Sequence, residues 1–141
     1  MNCTKCKTKA VLKLPRHNAA FCTGCFNEFV HDQVVKAIKS HKMFGKDDRI
    51  LVAVSGGKDS LGLWDILLKL GYKADGLYVD LGIGAYSERS LAKVRRFADR
   101  VAALHGATLH IHTVEQEEGA GIKELAELVH RPACSTCGTI K

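Results

Sequence analysis

The sequence predicts an α/β fold, a doubly wound parallel sheet preceded by a small cysteine-rich appendage, and three observations carry that prediction. Short apolar, β-branched runs lie at residues 50–54, 74–79 and 108–114, the pattern of strands in a covered parallel sheet. Between them, Leu61, Leu63, Trp64, Ile66, Leu67 and Leu70, and then Leu91, Val94, Phe97, Ala98, Val101 and Leu104, recur at three- and four-residue steps, as on helices. Strand and helix therefore alternate, and right-handed crossovers make the sheet parallel. Ahead of this lies a segment with four cysteines, too short to build a core of its own.

The expected organisation is a metal-binding ribbon over residues 1–25, an amphipathic connecting helix over 26–45, and the α/β unit over 46–141. In the ribbon, Cys3-x2-Cys6-x15-Cys22-x2-Cys25 has the spacing of a four-cysteine zinc site, in which two short knuckles each offer two thiolates to a tetrahedral Zn²⁺. With all four ligands supplied by the protein, such a zinc is structural, because a catalytic one keeps an open position. From Phe26 to about Met43, the apolar residues Phe26, Phe29, Val30, Val34, Ala37 and Ile38 repeat with helical period. Lys36, Lys39 and Lys42 among them suit either a solvated face or nucleic acid. Gly45 and the charged run Lys46 to Arg49 end the helix.

The α/β unit is organised around Ser55-Gly56-Gly57-Lys58-Asp59-Ser60, where a buried strand ends in a glycine turn and opens a helix. At a helix N-terminus the first amides lack partners and the dipole favours negative charge, while Gly56 and Gly57 let backbone approach a ligand closely. A phosphate is the expected guest. A Walker loop is excluded, since Lys58 is followed by Asp59 and Val52 stands where the first glycine belongs; the dinucleotide fingerprint fails on register.

The second strand ends at Val79, and the loop from Asp80 to Gly84 follows at the carboxyl edge where α/β folds hold ligands; an ordinary flexible connection reads equally well. Ser87 is the expected N-cap of the next helix, with Lys93, Arg95, Arg96 and Arg100 off its apolar side. His110 and His112 share a face of the third strand without a third ligand nearby, which suits a structural or solvent role. Glu115, Glu117 and Glu118 read as a solvated loop, and residues 122–130 as a short helix. Cys134-x2-Cys137 taken alone is a redox pair, a metal half-site or neither.

Composition narrows the classes. Six cysteines in three C-x-x-C pairs favour metal or redox chemistry over a disulfide framework, and a formal charge of +6 is compatible with a polyanion such as RNA. No apolar stretch approaches the roughly 18 residues that span a bilayer, so the expectation is a cytoplasmic protein without a membrane partner.

Ser55 to Ser60 resembles S-G-G-x-D-S, the pyrophosphate-loop (PP-loop) signature of the ATP pyrophosphatases. Together with the cysteine quartet, the Asp80-Leu-Gly-Ile-Gly84 stretch and the C-x-x-C-G at Cys134, it is similar to the amino-terminal half of the tRNA 2-thiouridine synthases of the TtuA group, relatives of the two-thiocytidine synthases. The resemblance implies that ATP, with Mg²⁺, adenylates the C2 oxygen of a tRNA uridine and that a sulfur nucleophile then displaces AMP. It puts Ser55, Gly56, Gly57, Asp59 and Ser60 on the leaving pyrophosphate and metal, with Lys58 as an added cation. Backbone of Ala53 and Val54 lies near the nucleotide, Val79 offers backbone to adenine, and Lys141 matches a basic residue on the phosphates.

Cys134 and Cys137 match two of three ligands of a 4Fe–4S cluster and are the candidate catalytic thiols. The partners implied are tRNA and a ubiquitin-like sulfur carrier with a C-terminal thiocarboxylate, and a homodimer is the candidate assembly. The family continues with a third cluster cysteine, a catalytic aspartate, more strands and a second zinc finger, none of which is among these 141 residues. The expectation is thus an incomplete sheet and a piece of the enzyme that is inactive alone. The rival reading is a non-catalytic zinc-containing module that binds nucleic acid or a partner and keeps a degenerate ATP loop.

Overall fold

The computed structural model describes residues 1–82 and 84–114, and the chain divides into two compact units, Met1–Gly45 and the part from Lys46 onward. The first unit is small. Strand β1 (Leu12–Leu14) and strand β2 (Ala19–Phe21) form an antiparallel hairpin through a single 3-10 turn at Pro15–His17, and helix α1 (Thr23–Ser40) follows at once. Its core is Cys3, Ala10, Ala20 and Phe21, flanked by Phe26 and Phe29; Phe21 stacks on Phe29 at 5.1 Å, and His17 meets Phe29 edge-on at 5.1 Å. Thr4 ties the first knuckle to β2 in both directions. Its amide donates to the Ala20 carbonyl at 2.7 Å, and its hydroxyl accepts from the Ala20 amide at 3.0 Å.

One boundary differs from the sequence expectation. The helix starts at Thr23, not after Cys25, so a ribbon ending at residue 25 would cut through its first turn. The C-x-x-C step is short enough to fit one helical turn, and the Phe26 amide already donates to the Cys22 carbonyl at 2.9 Å. Ribbon and helix are one body.

In the second unit, strand β3 (Arg49–Ala53), helix α2 (Lys58–Lys69), strand β4 (Lys73–Asp80), helix α3 (Gly84–His105) and strand β5 (Leu109–Thr113) alternate. The sheet is parallel in the order β3-β4-β5, with Val52 opposite Gly76 and Val79 opposite His112. Because the strand order advances in one direction, both helices lie on one face, where the Trp64 and Phe97 rings meet at 5.4 Å. The described strands are therefore one wing of the expected arrangement. The reversal that makes a sheet doubly wound is not found among the described residues.

Trp64 is wholly buried and locks α2 to the sheet. Its indole N–H donates to the Ala74 carbonyl at 2.9 Å, and its ring lies over Gly76, where an added Cβ would fall 2.7 Å from two ring atoms. Val94, Ala98 and Val101 of α3 close the same core. Gly76→Ala is expected to destabilise this unit by about 1–3 kcal/mol through overpacking. Gly62→Ala, on α2 with open space around it, should instead stabilise by about 0.5–1 kcal/mol. Urea denaturation of the two variants checks both signs.

Candidate functional site

The first site is the cysteine quartet. The Sγ atoms of Cys3, Cys6, Cys22 and Cys25 all lie within 4.8 Å of one another, and Cys6 and Cys22 are 3.6 Å apart. Four thiolates bonded at about 2.3 Å to one tetrahedral metal would stand roughly 3.8 Å apart, so the spacing fits a single ion. Cys3 and Cys6 sit on a knuckle closed by the Cys3 amide on the Thr8 carbonyl at 2.7 Å and the Lys7 amide on the Cys3 carbonyl at 3.0 Å. Cys22 is the N-cap of α1 and Cys25 lies in its first turn, where the helix dipole favours thiolates.

Proton affinities in the quartet show the same crowding. The Cys6 backbone amide, with those of Cys22 and Lys5, pulls Cys3 down to about 6 against the opposing effect of burial. The Cys25 amide lowers Cys22 in the same way, whereas hydrogen bonding to Cys6, then burial, pushes Cys25 up to about 12. Without a cation, Cys3 and Cys22 are drawn toward the thiolate while Cys25 holds its proton. A divalent ion removes that conflict, which is what this donor set is suited to hold.

The second site is the turn between β3 and α2. Sheet pairing continues to its edge, with the Val54 amide donating to the Leu77 carbonyl at 2.8 Å. The turn is braced from within by Ser60, whose hydroxyl accepts from the Ser55 amide at 3.1 Å, donates to the Gly57 carbonyl at 3.3 Å and lies 3.4 Å from the Ser55 hydroxyl. Gly56 has φ +86°, and a Cβ there would meet the Ser90 carbonyl oxygen at 3.0 Å. Gly57 is the N-cap of α2 and has no side chain to cap it, so the first-turn amides are left to an outside acceptor. Lys58 and Asp59 pair with each other at 2.8 Å while 89% and 92% exposed, and the hydrogen bond to Asp59 raises Lys58. These two charges satisfy one another in solvent.

Beside the turn lies a cavity of about 320 Å³ lined by Ala53, Val54, Ser55 and Val79 together with Leu77, Tyr78, Leu81, Tyr86, Ser87 and Ser90. The volume is at the small end for a ligand pocket. Tyr78 is buried and donates through its hydroxyl to the Ser87 carbonyl at 3.2 Å; burial, with the Asp80 charge, raises its proton affinity, so it stays a donor. Asp80 accepts from the Gly82 amide at 3.0 Å and so holds the start of the following loop.

Comparison with known proteins follows from these two sites. Residues 2–27 match the family model described as the N-terminal LIM domain of 2-thiouridine synthetase TtuA. Over the whole chain the sequence is 41% identical to the tRNA-5-methyluridine(54) 2-sulfurtransferase of Thermotoga maritima and 42% identical to that of Thermus thermophilus, covering 45% and 43% of those proteins. The ribbon thus matches the N-terminal domain of the TtuA family, and the whole chain is similar to the part of these sulfurtransferases that it spans. More distantly, it is 30% identical over 97% of its length to the cytoplasmic tRNA 2-thiolation protein 1 of Drosophila virilis, covering 41% of it. A U34-tRNA thiolase, NcsA from Methanococcus maripaludis, solved with its 4Fe–4S cluster, shares the fold with a TM-score of 0.80 over 99% of this chain and 47% of its own, at 23% identity. The chain thus spans less than half the length of the curated relatives it matches.

The structure gathers Ala53, Val54, Ser55 and Val79 at one cavity and sets Gly56, Gly57 and Ser60 in the turn beside it, with Lys58 and Asp59 exposed to solvent. Cys134, Cys137, Lys141, the three glutamates and the helix expected at 122–130 lie outside the described residues. Sequence reasoning missed Tyr78, Tyr86, Ser87 and Ser90. Ser87 is not an N-cap: α3 begins earlier, at Gly84, and Ser87 is 5% exposed in its first turn. His110 lies 3.6 Å from Asp75, and among the described residues only the quartet groups three or more metal-binding side chains. A larger cavity of about 520 Å³, lined among others by Asp47, Arg49, Lys73 and His105, opens at the amino ends of the strands, the edge where this fold class does not hold ligands.

Gly56→Ala is expected to cost about 1–2 kcal/mol from its left-handed backbone. The close Ser90 carbonyl should also displace the turn, so phosphate or nucleotide affinity should fall further than stability. Thermal melts with and without nucleotide separate the two effects.

Proposed function

We propose that the second unit is the nucleotide-binding part of a PP-loop ATP pyrophosphatase that converts a tRNA uridine to 2-thiouridine in the cytoplasm. The observation that carries this reading is the uncapped N-terminus of α2 behind the Gly56–Gly57 turn, opening onto the cavity of Ala53, Val54, Ser55 and Val79. The relatives named as tRNA 2-sulfurtransferases support the reaction class.

In the proposed reaction the uridine C2 oxygen attacks the α-phosphorus of ATP, and the bond to the β-phosphate breaks. Pyrophosphate leaves as the amides of Gly57, Lys58 and Asp59 take up its charge, which is electrostatic stabilisation by prearranged donors. Asp59, released from Lys58, would hold Mg²⁺ on the phosphates while Lys58 adds a cation; Ser55 and Ser60 would donate hydroxyls, and Lys141 would complete the phosphate end. Backbone of Val79 would take adenine. A sulfur nucleophile then adds at C2 and expels AMP.

A 4Fe–4S cluster on Cys134, Cys137 and a third ligand would supply the sulfur-carrying iron, as suits the cluster of the archaeal thiolase; the sulfur itself would come from a ubiquitin-like thiocarboxylate carrier. The quartet Cys3, Cys6, Cys22 and Cys25 would hold a structural Zn²⁺, because its sulfurs lie too close together for a cluster that spreads its ligands over separate irons. Dimerisation of the enzyme is part of the same reading.

Isothermal titration with MgATP tests the nucleotide site. Asp59→Asn or Ser60→Ala should weaken binding at least tenfold, and the same changes should abolish 2-thiouridine formation in an anaerobic assay of the full enzyme. A wild-type protein without ATP affinity would favour the non-catalytic zinc module. Metal analysis should find about one zinc per chain. Cys6→Ser should lose that zinc and leave the first unit, whose core is very small, largely unfolded.

A further inference from the structure

We infer that the outer face of α3 is a docking surface for the sugar-phosphate backbone of RNA, leading toward the Gly56 turn. Arg89, Lys93, Arg96 and Arg100 are exposed and follow one another at steps of four, three and four residues. At 100° per residue they fall within about 60° of arc, a single stripe roughly 16 Å long. None of the four pairs with a described carboxylate. The two acidic residues of the helix, Glu88 and Asp99, flank the stripe on one side, about 80° and 60° from its nearest member Arg96, and neither lies within it.

Position gives the stripe a direction. Its first residue, Arg89, precedes Ser90, whose carbonyl packs against Gly56, so the stripe begins at the edge of the sheet that bears the turn and runs away from it along α3. At the other end the Arg100 guanidinium stands 4.9 Å from the centre of the Phe97 ring, itself fixed on Trp64, which places that cation. A chain of phosphates lying on α3 would deliver the nucleotide beyond it to the cavity.

The chemistry of the stripe selects the partner. A protein interface needs an apolar centre around which polar contacts form a rim, whereas the exposed large apolar residues beside the stripe, Tyr86 and Leu104, stand at its two ends about 27 Å apart, and the residues between, such as Ala92, are small. Phosphates need only cations at helical spacing, and each neutralised phosphate releases a counterion. This inference is independent of the nucleotide chemistry, although it names the substrate surface of the same reaction.

The test measures binding of an unmodified tRNA transcript to the full enzyme across a salt series. Lys93→Gln with Arg96→Gln should weaken binding at low salt by about tenfold or more and flatten the log–log salt dependence by about 2. A charge-matched pair, Lys69→Gln with Lys73→Gln, at the far end of the sheet, should leave both nearly unchanged. MgATP affinity should be the same in all three proteins. Equal effects from the two pairs would reduce the stripe to net charge, and an unchanged slope for the α3 pair would overturn the inference, leaving the stripe to a protein partner or to solvent. If MgATP fails to bind even the wild type, the nucleotide reading fails while the salt slopes still decide this one.

Discussion

The seating of Trp64 on Gly76 is the contact on which the α/β unit depends. A wholly buried indole needs a partner for its N–H and a flat bed for its ring, and β4 provides the Ala74 carbonyl for one and a residue without Cβ for the other. Once that contact is made, the axis of α2 is fixed relative to the sheet, and so is the point where its first turn emerges from β3. The anion site is therefore a consequence of core packing six residues further along the helix. The same indole supports Phe97, and through it the placement of α3 and of Arg100.

Tyr78 extends this logic to the cavity. It lies two residues beyond Gly76, on the same face of β4, and its hydroxyl reaches the Ser87 carbonyl in the first turn of α3. The backbone of Ser90, one turn further on, meets Gly56 from the other side. Turn and cavity are thus braced by α3, whose first turns meet both β4 and Gly56. A buried phenol that stays protonated suits this role, since ionisation would remove the donor that the clamp uses.

Much of this was legible in the sequence, and the reasons are physical. The three strands and two helices of the α/β unit followed from apolar period, because burial imposes that period directly. The quartet followed from cysteine spacing, because a single ion demands four sulfurs within a few ångströms. What escaped was whatever depends on two segments meeting. The start of α3 was misplaced because Ser87 has the chemistry of an N-cap, yet its position is decided by Tyr78 across the strand edge. The start of α1 was misplaced because Cys25 was taken as the end of a ribbon, when a thiol can ligate from a helical turn as readily as from a knuckle. Gly76 carried no signal at all in sequence, since its reason is a ring ten or so residues away.

The two candidate sites turn out to use one device. Both put negative charge at the start of a helix where backbone amides have no internal acceptors, and the sequence decides which charge arrives. At α1 the cap is Cys22, whose thiol the Cys25 amide lowers, so negative charge can be built in as thiolate, which a cation would complete. At α2 the cap is Gly57, which carries no side chain, so in the proposed reading the charge would come from outside as an anion. Neither helix end has a side-chain cap bond, but the first carries thiols beside its amides and the second carries nothing, which leaves it open to an outside acceptor. That difference rests on a single choice at the cap, a ligating sulfur or a hydrogen atom, made in two copies of the same backbone geometry.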